Sequence, residues 1–214
     1  MSKKMNLPNR LTVIRMCLVP VILLLGFLTP KSSDTPWFYI SSALCAALFI
    51  GAAVTDMLDG RIARREGLVT NFGKFMDPVA DKFMVIGALF VILYKFPHLQ
   101  TLMIVTLIIV VFRELAVTSM RLVVSTGSNV VVAANILGKL KTVLQIVAIS
   151  TVFLEPFVQY VIRIVAGAIM GETLTWRTDI IPLSWITVIL SLVMTVWSGM
   201  NYILAYWKYI DSDK

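Results

Sequence analysis

Apolar runs close to the width of a lipid bilayer recur six times along the 214 residues, at 11–28, 37–54, 79–94, 99–124, 135–154 and 182–206. A helix needs roughly 20 such residues to cross a hydrocarbon core. In lipid every backbone N–H and C=O must be satisfied within the chain, which excludes an open sheet and leaves a helical bundle. The expected fold is all-α: a polytopic membrane protein of six transmembrane helices. Residues 8–15, where polar and apolar side chains alternate, are expected to form a short N-terminal amphipathic segment at the membrane surface. Composition agrees, since 58% of the chain is hydrophobic against about 45–50% in soluble domains. With no soluble insert, long linker or convincing repeat, residues 1–214 are expected to form a single membrane domain.

The first run follows Lys3 and Lys4 as a signal peptide would, yet Arg15 interrupts it and no small-residue cleavage pattern follows. It is read as a retained helix. The fifth run carries Lys139 and Lys141 in its first turns, and Glu155-Pro156 is expected to close it. Residues 29–35 read as an outer loop, 66–71 as a cytoplasmic turn around Gly67, and 157–182 as an outer interfacial helix and loop.

Positive charge orients such a bundle, because Lys and Arg collect on the cytoplasmic side. With the N-terminus inside, every basic residue except Lys31, Lys95, Arg163 and Arg177 falls on that side. Both termini and the segment from Asp56 to Asp81 are then expected to face the cytoplasm. This bias accounts for the formal net charge of +7, and nucleic acid is not implied. Cys17 and Cys45 lie inside apolar runs without metal-ligand spacing and read as packing residues. His98, beside Pro97 in an outer turn, is assigned no chemistry.

Only 12 residues are acidic, and four of them are Asp56, Asp59, Asp77 and Asp81. Ionisable groups clustered near membrane depth mark a functional site by default. Asp56 and Asp59 stand at i and i+3, Asp77 and Asp81 at i and i+4, so each pair shares a helix face. The turn around Gly67 is expected to let the two pairs converge from adjacent antiparallel helices. Four close carboxylates need a compensating cation. All-oxygen ligation without His or Cys points to Mg²⁺ or Mn²⁺ rather than zinc. Such ions keep positions open for phosphate oxygens, which implies a phosphate-bearing substrate and two metal ions clamping it. Gly60 and Gly73 leave room for a ligand to approach the backbone, and Arg64 is placed to grip phosphate. Read singly, the two glycines fit close helix packing and Arg64 fits topology better than ligand contact; beside the four aspartates the ligand reading prevails.

The segment DMLDGRIARREGLVTNFGKFMDPVAD resembles the signature of the CDP-alcohol phosphotransferase family, D-x2-D-G-x2-A-R-x8-G-x3-D-x3-D, with every fixed position present. PNRLTVIR, FRELAVTSMR, GKLKT and WSGMNY resemble the bacterial branch of that family whose acceptor is glycerol 3-phosphate. The resemblance implies a six-helix membrane enzyme in which an alcohol attacks the β-phosphorus of CDP-diacylglycerol and CMP leaves. It also implies Asp56, Asp59, Asp77 and Asp81 as metal ligands, with Asp81 as general base as well. Gly60, Arg64 and Thr70 would line the CDP part, with Asn9 and Thr12 near the nucleotide or its phosphates. A homodimer is implied too.

A dianionic acceptor needs positive charge beyond the metal site. Arg113, Arg121, Lys139 and Lys141 approach from the same side and are the expected acceptor-phosphate residues, unless Arg113 simply pairs with Glu114 and the lysines only follow the charge bias. The leading expectation is phosphatidyl transfer to glycerol 3-phosphate in phospholipid biosynthesis. Its rivals are a relative using serine, inositol phosphate or a phospholipid headgroup, a divalent-cation carrier, and a non-catalytic lipid-binding scaffold.

Overall fold

A computed structural model describes residues 7–31, 35–65, 70–127, 136–170 and 182–207. It contains six α-helices: α1 (Leu7–Leu28), α2 (Pro36–Arg65), α3 (Asn71–Lys95), α4 (Gln100–Gly127), α5 (Ile136–Met170) and α6 (Pro182–Tyr206), with a 3₁₀ turn at Pro97–Leu99. No strand occurs among the described residues. Five of the helices are long and apolar enough to cross a membrane. α3 is the exception, because Asp77, Asp81, Lys82 and Lys95 fall within it, although its 25 residues at about 1.5 Å each still reach across a hydrocarbon core.

The helices pack in a ring in the order α1, α2, α5, α6, α4, α3 and back to α1, with α3 and α5 also touching across it. The main core lies inside this ring, around Val19, Phe49, Ala88, Val91, Ile92, Met103, Ile149 and Phe153. The large apolar side chains left exposed, such as Leu24, Phe90, Ile108, Phe112 and Trp197, face outward, as lipid-contacting positions should. At the end remote from the Asp56–Asp81 segment, buried Lys95 donates to Thr29 Oγ1 (2.8 Å) and Ser41 Oγ (2.6 Å), so its charge is solvated by hydroxyls.

Residues 8–15 form the first turns of α1. One expectation changes: α5 does not stop at Glu155-Pro156 but runs on to Met170. A proline inside a helix costs about 3 kcal/mol, but here the surroundings offset it. Glu155 accepts hydrogen bonds from the Ser184 backbone N–H (2.8 Å) and hydroxyl (2.6 Å) on α6, so the charge that reads as a boundary is satisfied within the bundle. The outer helix expected within 157–182 is therefore the second half of α5. Residues 66–69 of the expected cytoplasmic turn, and residues 171–181, lie outside the described residues.

Candidate active site

Among the described residues α1 packs along both helices that carry the aspartate pairs. Arg15 links the pairs. Its side chain is fully buried and its Nη1 lies 2.5 Å from Asp56 Oδ1 on α2 and 3.2 Å from Asp81 Oδ1 on α3. One turn earlier on the same face, Thr12 donates to Asp77 Oδ1 at 2.7 Å. Asp56 and Asp81 thus come together from α2 and α3, with α1 and its Arg15 added as a third element of the arrangement. Asp59 and Arg64 belong to the last turns of α2, with side chains outside the described residues, and Gly60 lies on α2 four residues past Asp56.

Most of the other residues expected on the nucleotide side meet around the start of α3. Thr70 is its N-cap: the hydroxyl accepts from the Gly73 N–H at 3.0 Å and donates to Asn9 Oδ1 at 2.9 Å. A Cβ at position 73 would stand 3.2 Å from Asn9 Oδ1, 3.4 Å from Thr70 Oγ1 and 3.8 Å from Asp77 Oδ2. Gly73 thus permits the close approach of the protein's own polar groups. Asn9, Thr12, Thr70, Gly73 and Asp77 form one polar corner beside Arg15.

A cleft of about 560 Å³ opens from Asp77 and Asp81 between α3, α4, α5 and α6, and Arg113, Arg121, Lys139 and Lys141 all line it. Glu114 Oε1 accepts from Arg113 Nη1 (3.1 Å) and Lys141 Nζ (2.5 Å), so the pairing of Arg113 with Glu114 coexists with placement in the cleft. α6 holds the arginines from behind. Ser198 Oγ is 3.0 Å from Arg113 Nη2, and Tyr202 accepts from Arg121 Nε at 2.9 Å while its ring lies 5.4 Å from that guanidinium. Gly199 makes room for Arg113, since a Cβ there would come within 3.0 Å of its Cγ, while Gly138 sits at ordinary contact distance, its Cβ position 3.9 Å from Nη2. GKLKT and WSGMNY therefore act as the walls around these two arginines.

Sequence reasoning missed Arg15, Lys82, Ser198 and Tyr202 as members of the site. Arg15 was findable, since Asn9, Thr12 and Arg15 repeat every three residues on one face of α1. Ser198 and Tyr202 carry no such signal, because a hydroxyl in an apolar helix equally often bonds its own backbone, as Thr195 does to Ser191 O.

Among the described residues no three Asp, Glu, His or Cys side chains form a ready-made metal cage, and Arg15 supplies positive charge where Asp56 and Asp81 meet. The described donors are nonetheless all carboxylate oxygens, a set that fits a hard divalent ion.

Residues 5–207 match the family model of CDP-alcohol phosphatidyltransferase. The chain belongs to that family. CDP-alcohol phosphatidyltransferase relatives resemble it along most of their length. It is 36% identical over 215 residues, 97% of this chain and 98% of the other, to a protein of Bacillus subtilis named CDP-diacylglycerol–glycerol-3-phosphate 3-phosphatidyltransferase. Proteins of the same name from Rickettsia typhi and Yersinia enterocolitica are 36% and 33% identical, covering 80% and 96% of this chain and 87% and 97% of their own.

Proposed function

We propose that this family member transfers the phosphatidyl group of CDP-diacylglycerol to glycerol 3-phosphate, giving phosphatidylglycerophosphate and CMP. The observation that carries the reading is the single cleft running from Asp77 and Asp81 to four cationic side chains. A phosphorylated alcohol needs such a span, with its hydroxyl at a carboxylate and its phosphate among cations. The names of the relatives support the same acceptor.

In the reaction a hydroxyl oxygen of glycerol 3-phosphate forms a bond to the β-phosphorus, the bond from that phosphorus to the CMP oxygen breaks, and the hydroxyl proton passes to Asp81. Asn9, Thr12, Gly60, Arg64, Thr70 and Gly73 would hold the CDP moiety, the first two from α1. Arg113, Arg121, Lys139 and Lys141 would hold the acceptor phosphate through charge-assisted hydrogen bonds. Asp56, Asp59, Asp77 and Asp81 would hold Mg²⁺ or Mn²⁺, two ions in this reading. Bound there, the metal neutralises the pyrophosphate and the departing CMP. The positive-inside bias supports a multi-pass arrangement with both termini and the site on the cytoplasmic side, and a homodimer belongs to the same proposal.

The test is CMP release by purified protein from CDP-diacylglycerol, Mg²⁺ and a panel of alcohols. Release is expected with glycerol 3-phosphate, to stop with EDTA and to return with Mg²⁺ or Mn²⁺. Equal release with serine or an uncharged alcohol refutes the acceptor, and full turnover without metal refutes the metal site.

A further inference from the structure

Asp77, Pro78, Asp81, Lys82, Val85 and Ile86 line the cleft from α3, and Lys82 is the one cation among them. The half-buried Lys82 reaches across to α4, where its Nζ donates to Thr118 Oγ1 at 2.6 Å. Thr118 in turn donates to the Glu114 carbonyl at 2.7 Å, so its hydroxyl is fixed as an acceptor for the ammonium. Among the described residues this neutral hydroxyl is the hydrogen-bond partner of Lys82, and no carboxylate pairs with it. An ammonium carries three donors, so two remain.

Lys82 therefore differs from Arg113 and Lys141, which are held by a carboxylate, and resembles Arg121, which is held by a hydroxyl. Arg113 and Lys141 share Glu114, and Arg121 rests on Tyr202. Thr118 lies one helical turn after Glu114 and one before Arg121, which places the Lys82 ammonium midway along the row of cations on α4. In the chain it directly follows Asp81.

We infer that Lys82 is a direct ligand of the acceptor's phosphate, a phosphomonoester dianion, and that its attachment next to Asp81 sets the spacing between that phosphate and the hydroxyl to be deprotonated. The inference rests on the acceptor reading above and adds a residue that fixes which acceptors fit. A uniformly cationic pocket would accept phosphates of any chain length. A cation on the same helix as the base favours a short phosphorylated alcohol, whose two ends are read from one rigid element.

Lys82→Met keeps the aliphatic stem and removes the charge. Its KM for glycerol 3-phosphate is expected to rise about ten-fold or more, the value of a charge-assisted hydrogen bond, while KM for CDP-diacylglycerol moves less than about two-fold. A folded variant whose glycerol 3-phosphate KM stays within that two-fold overturns the inference. A second measurement uses the wild type and serves equally if the variant does not fold: acylation of Lys82 by acetic anhydride, followed by mass spectrometry. Glycerol 3-phosphate at ten times its Kd should slow this acylation about ten-fold by occupancy alone, and an unchanged rate overturns the assignment. Should wild-type CMP release not depend on glycerol 3-phosphate, the proposed function fails separately. Inorganic phosphate then becomes the probe: protection of Lys82 sustains a phosphate ligand there, and its absence overturns one.

Discussion

Glu114→Gln isolates the one acidic group that holds two cleft cations together. Glu114 accepts from Arg113 at 3.1 Å and from Lys141 at 2.5 Å, with side-chain exposures of only 20%, 13% and 4% for the three. Glutamine preserves shape and one acceptor oxygen but leaves two largely buried cations facing each other. Removing one partner of a buried ion pair costs about 3–5 kcal/mol, and the low end applies here because the cleft admits water and Ser198 still holds Arg113. The expected loss is about 3 kcal/mol, read as a lower unfolding midpoint in detergent. A bound phosphate dianion supplies the missing negative charge, and a ligand at 100 times its Kd stabilises by about 2.7 kcal/mol. Glycerol 3-phosphate should therefore return most of the lost midpoint, and the variant's midpoint should climb more steeply with ligand than the wild type's. An unchanged midpoint, or equal ligand dependence in both proteins, refutes the argument that Glu114 balances the charge of an anion site.

Asp81→Asn should still bind CDP-diacylglycerol but lose turnover, because the amide cannot take the hydroxyl proton; near-normal kcat with equilibrium binding intact places the base elsewhere. Arg121→Ala should raise KM for glycerol 3-phosphate about ten-fold or more, and Tyr202→Phe, which keeps the ring under the guanidinium but drops the 2.9 Å hydrogen bond, should give a smaller shift in the same direction. Steady-state kinetics with each substrate varied in turn checks both, and a change confined to CDP-diacylglycerol would contradict the placement of Arg121.

The aspartates and the four basic residues that line the cleft stand out in the sequence because charge inside apolar runs is scarce and must be explained. Asp77 and Asp81 do share a helix face, and all four expected cations do line one cleft with them. What the sequence hid was order in space. Nothing in a linear reading places α1 between α2 and α3, so Arg15 reads as an interruption of an apolar run when it is the link between Asp56 and Asp81. The length of α5 was hidden for a related reason: Glu155-Pro156 has the local chemistry of a boundary, and the group that satisfies it, Ser184, is 29 residues away. Gly199 illustrates the converse, since its role is visible only once Arg113 is seen to pass over it.

The central position of Arg15 also bears on biosynthesis. During synthesis α1 leaves the ribosome before α2 and α3, carrying a cation in the first half of an apolar helix, where it disfavours insertion, though by less than the roughly 2.5–3.5 kcal/mol of a helix centre. Its partners Asp56 and Asp81 follow 41 and 66 residues later, some seconds afterwards at about 5–20 residues per second. Until then α1 should remain loosely held at the membrane surface or in the insertion machinery, and arrest of synthesis before Asp56 should leave it extractable. The contact that completes the site would thus also commit the first helix to the membrane.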